Sequence, residues 1–243
     1  MSSTAFSRTS IRAALAAASL FLTACATAGA DRLLFSDDFR HGLGQWHIEA
    51  ERPARIEARD GVLDIDSPAG VTLWFDHRID GPVRIEFEAV AVAEGGPNDQ
   101  VSDLNVFWMA RNPDGTEPVH SHRRTGRFAD YNDLLTYYVG LGGNRNTTTR
   151  FRRYVGDPVN RPMLPEHDLG GADTLLTPNA AQTITLIANG HFIEYRRDGR
   201  TLFALEDGAP YERGWFALRT TYSHLRVRNL RIHRLASDAG ANR

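Results

Sequence analysis

From residue 83 to residue 90 apolar and charged side chains alternate: Val83, Ile85, Phe87 and Ala89 against Arg84, Glu86 and Glu88. A period of two marks a strand with one buried and one wet face. Runs of similar length recur at 33–39, 54–58, 62–65 and 71–75 before it. After it come 106–112, 135–141, 151–155, 181–188, 191–196, 201–205, 215–220 and 225–233. Gly, Pro, Asn and Asp clusters separate these runs, and Asn189-Gly190 and Asp198-Gly199 are pairs that favour tight hairpin turns. No stretch carries a long helical period, and none repeats. Many short strands joined by such turns predict an all-β chain, folded as a two-sheet antiparallel β-sandwich.

Residues 120–154 break the pattern of ordinary strand filling. They hold His120 and His122, four tyrosines, three asparagines and seven arginines, with few aliphatic side chains. Such a segment offers proton-transfer groups, amide donors and guanidinium forks for carboxylates. It predicts a groove for an acidic, hydroxyl-rich ligand. His120 and His122 share a side if the segment is extended. Of the adjacent Tyr137 and Tyr138 one faces the groove, and Tyr137 is the expected one. Arg150 and Arg152 share a strand face and form a candidate carboxylate clamp, after a glycine-rich turn that carries Asn144 and Asn146. Asn105 and Trp108, Trp108 as a sugar platform, precede the cluster; Arg124, Tyr131 and Asn132 belong to its edge.

The N-terminal region adds location. Arg8 and Arg12 precede an apolar run, 13–22, that is too short to span a bilayer. It leads to Leu22-Thr23-Ala24-Cys25, which resembles a bacterial lipoprotein signal. That resemblance implies cleavage before Cys25, lipid on Cys25 and, with Ala26 next, the outer membrane. The expected organisation is a signal peptide at 1–24, a tether at 25–31, one β-sandwich domain at 32–235 and a disordered tail at 236–243. Cys25 is the single cysteine, so the mature chain has neither a disulfide nor a thiolate nucleophile. There is no lysine, which removes Schiff-base chemistry. The net charge of -2 makes the central arginines a local patch on a mildly acidic chain, and nucleic acid is not an expected partner.

Asp38-Phe39 with Leu43 and Trp46, the ending Gly214–Arg219, and Val227–Ile232 after Ser223 resemble the first and last strands of concanavalin A-like, laminarinase-like jelly rolls. More narrowly, the chain resembles uncharacterised jelly-roll proteins associated with bacterial breakdown of uronide polysaccharides. The resemblance implies a carbohydrate-active fold. The laminarinase-like Glu-x-Asp-x-x-Glu triplet is absent, and Glu86 with Glu88 read as a solvated strand face. The expected activity is therefore β-elimination on an acidic polysaccharide. His122 or His120 would act as base, Tyr137 or Tyr138 as acid or base, Arg150 and Arg152 as clamp and Asn144 as amide donor. The alternatives are a hydrolase using Asp130 and Asp133, or Glu166 or Glu94, and a non-catalytic carbohydrate-binding lipoprotein. No cofactor is required. The resemblance leaves room for a structural calcium near Asp37, Asp38 or Asn229.

Overall fold

The computed structural model describes residues 30–236, together with Met1. The signal segment, Cys25 and the tail from 237 onward lie outside the described residues. In chain order the strands are β1 (Arg32–Asp37), β2 (Trp46–Ala50), β3 (Arg55–Arg59), β4 (Val62–Ser67), β5 (Val71–Phe75), β6 (Ile79–Asp80), β7 (Val83–Ala91) and β8 (Leu104–Arg111). Then follow β9 (Leu135–Gly142), β10 (Thr148–Val155), β11 (Asp168–Leu169), β12 (Ala181–Asn189), β13 (Phe192–Arg197), β14 (Arg200–Glu206), β15 (Arg213–Thr220) and β16 (Ser223–Arg234).

They form two antiparallel sheets. The first runs β14-β13-β12-β7-β16-β4-β3, with β1 also on β16; the second runs β11-β10-β9-β8-β15-β5-β2, with β6 also on β15. The alternation read at 83–90 is realised in β7, whose Val83, Ile85, Phe87 and Ala89 are buried between the sheets while Arg84, Glu86 and Glu88 face outward. Asp198 and Gly199 both take left-handed φ, as the tight turn between β13 and β14 requires. Arg32 pairs with Arg234, so the two ends of the described chain lie side by side on the first sheet.

The second sheet is buried on both faces over much of its area. That is why 71–75 shows no alternation: Val71, Leu73 and Phe75 enter the main core, while Thr72 and Trp74 point to the other side and are also buried. There Trp74, Phe107, Tyr138, Tyr154 and Trp215 pack under Val119, Tyr131 and Leu134 of the 112–134 connection. Burying each such side chain contributes roughly 1.5–3 kcal/mol. Arg124 fastens this cover from within, donating to the carbonyls of Val119 and Asp130 and to Asn112 Oδ1 at 2.7–3.0 Å. At its tip Gly126 is held at φ +88, and a Cβ there would lie 2.4 Å from the backbone nitrogen of Glu51. Only glycine allows so close an approach.

Candidate functional site

Strand register places polar residues from distant parts of the sequence in one row across the outer face of the second sheet. Glu49 pairs with Thr72, Thr72 with Arg219, Arg219 with Asn105, Asn105 with Gly140, Gly140 with Arg150 and Arg150 with Asp168. Neighbouring strands are about 4.8 Å apart, so these side chains are immediate neighbours. Two residues along, a second row runs His47, Trp74, Ala217, Phe107, Tyr138 and Arg152. The cover lies on the aromatic row. Beside it opens a cleft of about 260 Å³, lined by Asp103, Phe128, Tyr138, Gly140, Gly143, Asn144, Thr148, Arg150, Arg152 and Arg161.

Several groups in and under this cleft lack partners. The Tyr138 hydroxyl bonds to no protein group among the described residues, and burial pushes its pKa well above the phenol range. Asn105 is 3 % exposed, and its Oδ1 is buried without a partner. A Cβ on Gly140 would sit 2.6 Å from the Tyr138 hydroxyl and 3.1 Å from Asn105 Oδ1, so only glycine leaves room for these two oxygens beside the strand. Asp103 receives hydrogen bonds from Ser102 and Asn105, and burial raises its carboxyl pKa.

The cations divide into two kinds. Arg150 forks Asp168 at 2.7 and 3.1 Å, so half of the expected clamp is already satisfied within the chain. Arg152 instead donates to the Arg161 carbonyl, and Arg161 donates to Asn132 Oδ1 and to the Tyr154 hydroxyl. Neither has a carboxylate partner among the described residues. Arg219, buried to 2 % exposure, donates to Thr72 Oγ1 and the Gly126 carbonyl at 2.8 Å, and its Nε is unpartnered. Burial lowers its pKa, but no carboxylate pairs with it among the described residues.

Other expectations are corrected. Tyr137 does not face the groove. It lies between the sheets, donates to Asp207 at 2.6 Å and accepts the Tyr211 N–H, because it shares the pleat side of Val139 and Leu141. Trp108 is no sugar platform: it is fully buried and stacks on Phe151, because it shares the pleat side of Leu104 and Val106, which face the main core. His120 and His122 do not share a side, because a 3-10 turn at Val119–Ser121 separates them. His122 is held by Asp114, and His120 stacks on His47 at 4.4 Å; neither reaches the Tyr138 cleft. Tyr131 is buried and donates to Glu49, and Asn146 is spent on the backbone of Leu176. Arg124 and Asn132 hold the cover and Arg161 rather than a ligand. Asn144 lines the cleft and bonds to Thr148.

Of the alternative acids, Asp130 caps the Thr125 turn and Glu94 forks on Arg226 of the first sheet. Asp37 accepts from Phe39 N–H and the Trp46 indole, Asp38 from Arg40 N–H, and Asn229 donates to Glu88; these three form no cation cage. Among the described residues no three His, Cys, Asp or Glu side chains are grouped to hold a metal.

Sequence reasoning missed Glu49, Asp103, Gly140, Arg161 and Arg219. Arg219 had a signal, a lone charge in the apolar run 214–220. Glu49 accepts from the Trp74 indole and the Tyr131 hydroxyl through one oxygen, while the other is buried and bare. Burial raises its pKa against those two hydrogen bonds.

Among solved structures, a Bacillus subtilis protein of unknown function with a galectin-like fold gives a TM-score of 0.65 at 15% identity, over 86% of this chain and 98% of its own. The endo-β-1,3-glucanase of Pyrococcus furiosus gives 0.55 at 11% identity, over 85% and 95%. The Bacillus subtilis carbohydrate binding module CBM66 gives 0.50 at 10% identity, over 77% and 94%. At such identities the likeness establishes the fold, an all-β two-sheet sandwich resembling the concanavalin A-like jelly roll. No curated protein matches the chain. The profile of the family described as "Domain of unknown function (DUF6250)" matches residues 65–230, more than half of the sequence, and the chain belongs to that family.

Proposed function

We propose that the protein binds an acidic saccharide, one uronic-acid unit of which sits in the Tyr138 cleft. The observation that carries this reading is the pairing of Arg152 and Arg161, which lack carboxylate partners among the described residues, with the partnerless Tyr138 hydroxyl in one open cleft. The guanidinium groups take the sugar carboxylate. Tyr138, Asn144 and Asp103 take its hydroxyls. Likeness in fold to a carbohydrate binding module and a glucanase supports a saccharide; the arginines support an acidic one. A hydrolytic pair of carboxylates has less support, since Asp103 is the single acid lining the cleft among the described residues.

Binding is the first reading, and β-elimination the second, favoured by the free Tyr138 hydroxyl. There a base takes the C5 proton, the electron pair forms the C4–C5 double bond, and the C4–oxygen bond breaks as the leaving oxygen gains a proton. With its pKa raised, Tyr138 is the proton donor, and Asp103, also raised, is the candidate base. Incubation with a panel of uronides separates the readings. Absorbance of unsaturated uronate selects elimination, new reducing ends without it select hydrolysis, and binding with neither selects a binding protein. Absence of binding to every member refutes the proposal. We also propose that Cys25 carries a lipid anchor that holds the domain at the bacterial outer membrane, a reading that rests on the N-terminal sequence.

A further inference from the structure

A second recess of about 290 Å³ adjoins the cleft at the same end of the sandwich. It is lined by Gln100, Ser102, Asp103, Arg145, Thr221 and Tyr222, and Asp103 stands in the wall of both spaces. Three connections meet there, those between β7 and β8, β9 and β10, and β15 and β16. Their backbones are unusual. Val101, Asp103, Asn144, Arg145, Asn146 and Tyr222 all have φ between 47° and 60°, a region that L side chains avoid. Strained non-glycine residues of this kind gather at binding sites, where the surrounding structure holds them in place. Tyr222 is the sharpest case. A bulky aromatic in the left-handed region is 57% exposed, so packing does not explain why the position is not glycine.

We infer that this recess is a second sugar subsite, with Tyr222 as the stacking platform and Arg145 and Gln100 as its polar contacts, so that the protein holds consecutive units of a chain rather than one terminal sugar. The inference rests on the proposed acidic-saccharide cleft and extends it past Asp103. An aromatic face takes the apolar side of a pyranose ring, and an arginine beside it suits a second carboxylate. The polymer then runs from Arg161 and Phe128, over Gly140, and out past Asp103 to Tyr222.

The test is the affinity of the full mature chain for galacturonic acid and for its dimer, measured by calorimetry for wild type, Tyr222→Gly and Arg145→Gln. Wild type is expected to bind the dimer roughly tenfold tighter than the monomer, a difference in the range of aromatic stacking plus one ion contact. In Tyr222→Gly that ratio falls to about one, with monomer affinity unchanged. The melting temperature stays the same or rises, because glycine relieves the left-handed backbone. Arg145→Gln lowers dimer affinity alone, and most at low salt. A length dependence that survives Tyr222→Gly overturns the subsite, as does its absence in wild type. A clear fall in melting temperature makes Tyr222 structural and also overturns it. If wild type binds neither sugar, the acidic-saccharide cleft itself fails, a different outcome from monomer binding without a gain on lengthening.

Discussion

Tyr137 and Tyr138 are adjacent in β9, yet their hydroxyls stand on opposite sides of one sheet, so Tyr→Phe at each position separates fold from function. At Tyr137 the lost hydroxyl leaves the Tyr211 N–H without its acceptor and Asp207 without one of its donors. Asp207 keeps Arg153 at 2.7 Å and the Ala209 N–H at 3.0 Å, which limits the damage. One buried donor left bare costs about 1–3 kcal/mol. For a domain of this size each kcal/mol lowers Tm by about 2–4 °C. At Tyr138 no protein hydrogen bond is lost among the described residues, and stability should hold within about 0.5 kcal/mol. A hydrogen bond to a neutral sugar hydroxyl is worth about 0.5–1.5 kcal/mol, so affinity for an acidic oligosaccharide should fall by roughly 2- to 10-fold. Thermal melts by near-UV circular dichroism and calorimetric titration with trigalacturonate read both quantities. A Tyr138→Phe protein that melts several degrees lower but binds normally, beside a Tyr137→Phe protein that melts normally but fails to bind, refutes the assignment of faces.

Arg150→Lys should destabilise the β10–β11 edge modestly, by under about 1 kcal/mol because the Asp168 pair is partly exposed, while Arg152→Lys should keep Tm and weaken acidic-ligand binding about tenfold; equal effects of both on binding would restore a two-arginine clamp. Burial holds the folded pKa of Glu49 above its unfolded value, so its stabilising contribution is complete below about pH 4 and is lost as pH rises through the folded value. Asp64 and Asp99 run the other way: burial opposes their charge, but His224 with Arg55 holds Asp64 low, and the Gly96 and Glu94 N–H groups with His224 hold Asp99 low, so their contribution is lost as pH falls. Melts of wild type and Glu49→Gln from pH 4 to 8 should therefore diverge in favour of the variant as pH rises, and a constant gap would remove the buried-acid argument. Cys25→Ser should release the protein from the membrane fraction; unchanged retention would end the lipid-anchor proposal.

Most strands were legible because one pleat face of each is apolar, as in β7, and the hairpin pairs at 189–190 and 198–199 marked their ends. The side of Tyr137 was legible too, through Val139 and Leu141, whose alternation puts it in the core. So was that of Trp108, through Leu104 and Val106, whereas the bulge between Trp108 and Arg111 leaves no compositional trace and reverses the parity only beyond it. The arginines of 120–154 looked equivalent in sequence. Their difference lies in partners supplied from elsewhere: Asp168 neutralises Arg150, whereas the outward side of Arg152 meets the backbone of Arg161. Glu49, Asn105, Gly140 and Arg219 form a row only through register across four pairings of the second sheet, which no local pattern encodes.

The most direct test compares two trisaccharides that differ only at C6, galacturonate against galactose, titrated into the wild-type protein at low and at physiological salt. The account predicts that the acid binds at least about tenfold tighter, that the gap narrows as salt rises, and that Arg152→Met closes most of it. Equal affinity for the acidic and neutral sugars, or a preference untouched by Arg152→Met, would contradict it.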